Sequence, residues 1–260
     1  MSENTQSYSA KGEVSNITKR RTRFERIKIA FSKAPLSAWF GMIVLSIYLF
    51  AAFFAPFIAP HGEAEVFPVA YAPWGGEHLL GTDQIGRDIL SRLIFASRNT
   101  LGICFLACTI ALFIGTIFGI IAAIDRSYID QILSRSIDTL MAIPVMIFTF
   151  ILLSVFGPSN LNLILILGVL ESTRFFRISR SVAVGQVVLE YVEVAKLRGE
   201  KLSYIIFREI LPNIASPLIV EFGVRFIFII FTVSSLSFLG LGIQPPAADW
   251  AAMVRENAIL

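Results

Sequence analysis

Long uncharged stretches alternate with polar segments along this chain, and their lengths decide its class. Leu36 to Ile58 carries no charge over 23 residues, and Leu101 to Ile124 none over 24. At about 1.5 Å of rise per residue, each can cross about 30 Å of hydrocarbon. A third stretch, Leu140 to Phe156, is shorter and has Pro144 near its start, where a kink is expected. Leu161 to Leu170 gives only ten apolar residues before Glu171, so a fourth span must run on into polar sequence. Ile214 to Leu239 supplies a fifth, interrupted by Glu221 and Arg225. The pattern predicts an all-α fold, a polytopic transmembrane helical bundle. The first stretch is too long, and begins too far from Met1, to be a signal peptide.

The polar segments give the orientation. Residues 1–18 have no apolar period and read as a disordered tail. Lys19 to Lys33 (KRRTRFERIKIAFSK) is basic with Phe24, Ile27, Ile29 and Phe31 interleaved, as in a helix lying on an anionic membrane surface. Eight Lys and Arg precede the first span, three lie in residues 59–100 and seven in residues 171–213. The two strongly basic segments are an even number of crossings apart, so both belong in the cytoplasm. Residues 1–35 are then a cytoplasmic tail, 36–58 the first transmembrane helix, 59–100 an extracytoplasmic loop and 101–260 the helical core. The C-terminus falls outside after five spans.

Composition agrees: 55% of residues are hydrophobic, 16% are charged and mean hydropathy is +0.73. A soluble domain of this size needs more polar surface to cover itself. Cys104 and Cys108, one turn apart in an apolar run, are expected to pack as small hydrophobes. His61 and His78 both lie in the external loop without metal-ligand spacing, so no metal site is expected. No GxxxxGK[ST] loop occurs, which excludes P-loop ATP binding by this chain. No nucleophile and base can be paired, so an enzyme is not expected.

Glu190 to Asn213 (EYVEVAKLRGEKLSYIIFREILPN) is a charged island between apolar segments. Ala195 and Gly199, at i and i+4, are expected to share a helical face that lets a partner approach closely. Gly199 also permits a sharp turn between two short helices. Pro212 is expected to stop the second of them. Glu193, Lys196, Arg198, Glu200 and Lys201 supply charge for a polar interface.

That island resembles the EAA loop of ABC-importer permeases, which reads EAA, three residues, Gly, and later a Leu-Pro close. Leu80 to Arg92 (LGTDQIGRDILSR) and Ser237 to Trp250 (SFLGLGIQPPAADW) are similar to two further blocks of the dipeptide/oligopeptide/nickel-type permeases, specifically the second permease of such systems. The resemblance implies a type I ABC importer permease fold in the bacterial inner membrane. It implies a homologous permease partner, two ATP-binding subunits or domains that hold ATP and Mg, and an extracytoplasmic substrate-binding protein, with no cofactor in this chain. Glu193, Ala195, Lys196, Arg198, Gly199 and Pro212 would form the ATPase-coupling element. Asp83, Arg87, Asp88 and Arg92 would stand where the binding protein docks, with Arg87 and Asp88 also able to fix the loop. Di- or oligopeptides are the implied cargo; nickel complexes, opines, glutathione-like peptides and oligosaccharides stay open.

The chain departs from the pattern at Val194, Leu197 and Glu209 within the island. Ser172 and Thr173 stand where a Trp-Pro pair is common, and Ala248 and Ala251 replace a common Pro and Gly. A sixth span after the last block is usual in the family, and its absence here reads as a truncated sequence. Glu221 and Arg225, acid first at i, i+4, either pair with each other or line a substrate pathway. Gly115 and Gly119 form a GxxxG that predicts close helix packing. A transporter or channel working without ATP is the competing reading, although no internal repeat supports it.

Overall fold

The computed structural model describes Ser32, residues 34–125 and residues 127–258. The expected disordered tail, and the basic segment apart from Ser32, lie outside these. Among the described residues the helices in order are α1 (Leu36–Ile58), α2 (Ile89–Ile124), α3 (Tyr128–Met141), α4 (Val145–Phe156), α5 (Asn160–Val187), α6 (Glu190–Leu197), α7 (Leu202–Phe238) and α8 (Trp250–Asn257). Among the described residues there is no strand, only the isolated bridges Gly75–His78 and Thr82–Asp88. The chain divides into two units, Met1–Ser46 and Ile47–Leu260. The first contributes the opening turns of α1. The second holds everything else.

Among the described residues three helices are long and apolar enough to cross a membrane alone: α1, α2 and α7. Two expected spans differ in form. The Leu140–Phe156 stretch is not one helix, because α3 and α4 meet at 86° across Ala142–Pro144. Pro144 has no N–H and restricts Ile143, so α3 ends before it and α4 starts after it. The expected fourth span falls on the 28-residue α5, which is not apolar enough to pass as a span alone and carries Glu171, Arg174, Arg177 and Arg180. Its buried face is covered by protein instead of lipid.

The α2–α5 pair is the spine of the second unit. Gly168 lies against Ile110, Gly115 against Phe175 and Gly119 against Ser179, so the two helices run parallel. A Cβ on Gly115 would collide with the Ser172 carbonyl oxygen, and one on Gly119 with the Ser179 hydroxyl. The GxxxG pair therefore lets two helices within this chain touch backbone to backbone. Ser179 uses the closeness to donate to the Gly115 carbonyl at 3.1 Å. α7 runs the other way along this pair. Ile229, Val233 and Leu236 pack with Ile103 and Cys104 near the start of α2, while Ile210, Ile214 and Leu218 pack with Ile120 near its end. Both cysteines are free and fully buried in the first of these clusters.

Near its start, α7 contains a wide π turn at Ile205–Ile210. The Leu211 N–H reaches the Ile206 carbonyl, five residues back. Pro212 follows immediately, and its missing N–H is absorbed at this widened turn. Pro212 thus does not stop a helix. The chain passes through it as one continuous α7.

Candidate functional site

At the α2 N-terminal end, the 59–88 loop and α8 close over the helices through a buried ionic cluster. Asp83 is completely buried. Its carboxylate accepts from the Ile85 and Arg87 backbone N–H groups at 3.0 and 2.9 Å, from Arg87 Nε at 2.7 Å, and from Arg92 Nη1. Glu256 of α8 accepts from the same two arginines, each at 2.9 Å. Two anions thus face two cations, the arrangement that makes a buried charge tolerable. Burial works against the Asp83 charge, but the backbone donors and the Arg87 guanidinium outweigh it and hold the carboxyl below its ordinary range. Asp88 caps α2 by accepting from the Ser91 N–H at 2.8 Å, and accepts from His78 at 3.0 Å. Burial again opposes its charge and the Ser91 and His78 bonds prevail, so its carboxyl is also lowered.

Asp83, Arg87, Asp88 and Arg92, expected where a binding protein docks, form the interior of this cluster. All four side chains are buried and pair with one another, Glu256, His78 and backbone, with only Arg92 Nε left without a hydrogen-bond partner. They hold the loop in shape. Neighbouring bonds extend the layer: Glu63 accepts from Asn99 and the Ala248 N–H, Thr100 donates to Asp249, and Trp250 donates to the Leu93 carbonyl.

At the other end of α2, α6 sits outside the helix bundle. Leu189 precedes it, Glu190 and Glu193 occupy its first turn and Lys196 its last, in keeping with the helix dipole. Gly199 ends it in the left-handed region, φ +73°. Its N–H reaches the Lys196 carbonyl at 3.0 Å, and the Glu200 N–H reaches the Ala195 carbonyl at 3.2 Å, the paired bonds of a Schellman cap. The expectation of one shared Ala195–Gly199 face is therefore corrected: Gly199 has left the helix. Ala195 instead faces inward with Val192, against Ile205, Ile206, Ile210 and Val187.

The outward face of α6 carries Glu193, Val194, Lys196 and Leu197, with Arg198 just beyond. Leu197 is 82% exposed. Behind this face, the Tyr191 hydroxyl donates to Gln186 of α5 at 2.7 Å and accepts from Asn213 of α7 at 3.2 Å. Asn213 also donates to the Glu209 carbonyl beside the π turn. α6 is thus pinned to the ends of two long helices, so displacing it must move both. Tyr191, Gln186 and Asn213 were not singled out from the sequence, since ordinary polar residues at helix ends give no pattern.

Within the bundle, Arg225 approaches Glu221 at 2.7 Å as the i, i+4 spacing predicts. Its N–H is not aimed well enough for a hydrogen bond. The sequence did not indicate the third member: Glu171 of α5 lies 3.8 Å from Arg225 and keeps one buried oxygen without a hydrogen-bond partner. The Arg225 guanidinium also lies 4.9 Å from the Phe228 ring. Two carboxylates therefore share one guanidinium between α5 and α7.

A helical chain with several helices long and apolar enough to cross a membrane, a latched loop at one end and a braced outward helix at the other is a polytopic membrane protein. A family described as "Binding-protein-dependent transport system inner membrane component" matches residues 115–260, and "N-terminal TM domain of oligopeptide transport permease C" matches residues 31–73. The chain belongs to the first family, the membrane components of ABC importers, which are permeases and not enzymes. Such a component works with an ATPase and a substrate-binding protein. The chain is 34% identical to the dipeptide transport system permease protein DppC of Alkalihalophilus pseudofirmus, covering 84% of this chain and 72% of that one. It is 34% identical to DppC of Escherichia coli (strain K12) over 87% and 78%. To the glutathione transport system permease protein GsiD of Pectobacterium atrosepticum it is 31% identical, over 91% and 79%.

Proposed function

We propose that this chain forms half of the translocation pathway of a di- or oligopeptide importer, paired with a homologous permease, and that α6 is its coupling helix to the ATPase. The observation that carries the reading is the two-sided build of α6. Its outer face offers apolar Val194 and Leu197 among charges, and its inner face is fixed to α5 and α7 by Val192, Ala195 and Tyr191. A partner that grips the outer face as it closes around ATP and Mg, both bound by the partner, can tilt the long helices as rigid bodies. The lysine and arginine distribution supports a cytoplasmic N-terminus and a cytoplasmic α6, with the 59–88 loop outside, where the binding protein delivers cargo. Relatives named for dipeptide and glutathione transport support peptide cargo. Glu221 and Arg225, with Glu171, are the charges a peptide's termini would meet if the pathway runs past α7.

Uptake of a labelled dipeptide into proteoliposomes holding both permeases, the ATPases and the binding protein tests this reading. Uptake should require ATP and stop when the ATPase is inactivated. Uptake that continues without hydrolysis would instead fit a free-standing carrier.

A further inference from the structure

The chain has two histidines, and the fold brings both to one carboxylate. His61, His78 and Asp88 lie on three separate segments, yet each offers a ligand atom within 4.8 Å of the others'. Asp88 is buried and both imidazoles are half-buried. We propose that His61, His78 and Asp88 form a binding site for a divalent transition ion of the Zn²⁺ class, which staples the 59–88 loop to the start of α2.

The donors are arranged for this. His78 Nδ1 lies 3.0 Å from Asp88 Oδ1, while Asp88 keeps Oδ2 on the Ser91 N–H at 2.8 Å. Coordination through Oδ1 therefore leaves the α2 cap intact. The His61 backbone N–H donates to Ser91 Oγ at 3.0 Å, which anchors that residue beside the cap. Phe67 packs edge-on to both imidazoles, with ring centroids at 4.8 and 4.6 Å, and limits where they can turn. The His78–Asp88 pair is satisfied by itself; nothing in it requires a second imidazole at the same place. Outside this cluster, Glu65 Oε2 accepts from the Gly62 N–H at 3.0 Å and lies 3.9 Å from His61 Nδ1, where it offers a fourth donor, the second oxygen. Two nitrogens with one or two oxygens suit a borderline ion and not Mg²⁺ or Ca²⁺, which take oxygen ligands. Bonds of about 2.0–2.1 Å in a tetrahedron set donors roughly 3.3 Å apart. The widest separation must close by about 1.5 Å, a movement that side-chain rotation can supply.

The test uses the assembled transporter with any polyhistidine tag removed. Wild type should take up one equivalent of Zn²⁺ per copy of this chain against a chromophoric chelator, with excess Mg²⁺ unable to compete. Co²⁺ in its place should give the visible absorption of a four-coordinate ion. His61→Ala and His78→Ala should each weaken uptake by more than the roughly 10–100-fold that loss of a supporting outer partner costs. As a readout independent of variant folding, Zn²⁺ should protect both wild-type imidazoles from acylation by diethylpyrocarbonate, mapped by mass spectrometry. No equivalent bound by wild type, uptake unchanged in His61→Ala, or imidazoles equally reactive with and without Zn²⁺ would each overturn the site.

Discussion

Replacing Asp83 by Asn keeps the side chain's size and removes one of two negative charges from the cluster beneath the 59–88 loop. Arg87 and Arg92 would then share Glu256 alone, and Asp83 itself has no access to water that could compensate. Removing one partner from a buried ion pair costs about 3–5 kcal/mol. The Glu256 contacts remain, so the lower end applies, about 3 kcal/mol, or roughly a 100-fold rise in loop opening at about 1.4 kcal/mol per tenfold. Hydrogen exchange reads this directly. The Gly86 amide, bonded to the Asp83 carbonyl, and the Asp83 amide, bonded to the Arg87 carbonyl, should lose protection while α5 amides keep theirs. Glu256→Gln should cost less, because its carboxylate is partly hydrated, and the double variant should cost less than the sum. The pH dependence has a fixed sign. A carboxyl lowered in the folded state stabilises the latch above its unfolded pKa, and that stability is lost as pH falls through the lower folded value. Loop protection should therefore hold unchanged near neutrality and fail only below the ordinary carboxylate range. An Asp83→Asn chain with wild-type protection at these amides would refute the reasoning.

Three further outcomes follow from the packing. Gly119→Leu should destabilise the chain by about 3 kcal/mol or more, because its neighbours are the Phe176 carbonyl and Ser179, which cannot swing away; the thermal midpoint of purified protein measures it. Arg225→Gln should lower that midpoint more than Glu221→Gln, since it strands buried Glu171 and half-buried Glu221 instead of one cation that Glu171 still faces; equal losses would remove Glu171 from the group. Tyr191→Phe should cost only about 1 kcal/mol in stability, yet reduce peptide taken up per ATP hydrolysed, because it frees α6 from Gln186 and Asn213.

How much was legible in the sequence depended on how local each signal was. Uncharged runs placed α1 and α2, and an apolar run broken only by Glu221 and Arg225 placed α7, since length against bilayer thickness needs no tertiary information. α5 was harder: Arg174 and Arg177 on its exposed side lower its hydropathy, while Phe175, Phe176 and Ser179 are buried against α2. Gly199 was legible as a turn residue, but assigning it to a helical face assumed that α6 continues to it; the Schellman cap ends the helix two residues earlier. Pro212 read as a stop, because a π segment six residues long leaves no periodic trace. The Asp83 cluster was half legible. Its members lie within one motif except Glu256, 164 residues after Arg92; Arg87 already read as able to fix the loop, but without that anion Arg92 looked available for a partner. The histidines looked unrelated for the same reason, since only the folded loop brings them to Asp88.

The central claim is that the outer face of α6 transmits ATPase closure. Leu197→Glu tests it most directly, because Leu197 is 82% exposed and its replacement disturbs nothing within the chain. The measurement is peptide taken up per ATP hydrolysed, in proteoliposomes containing the complete transporter. The account predicts an assembled complex whose ratio falls at least about tenfold. A wild-type ratio in that variant would contradict it.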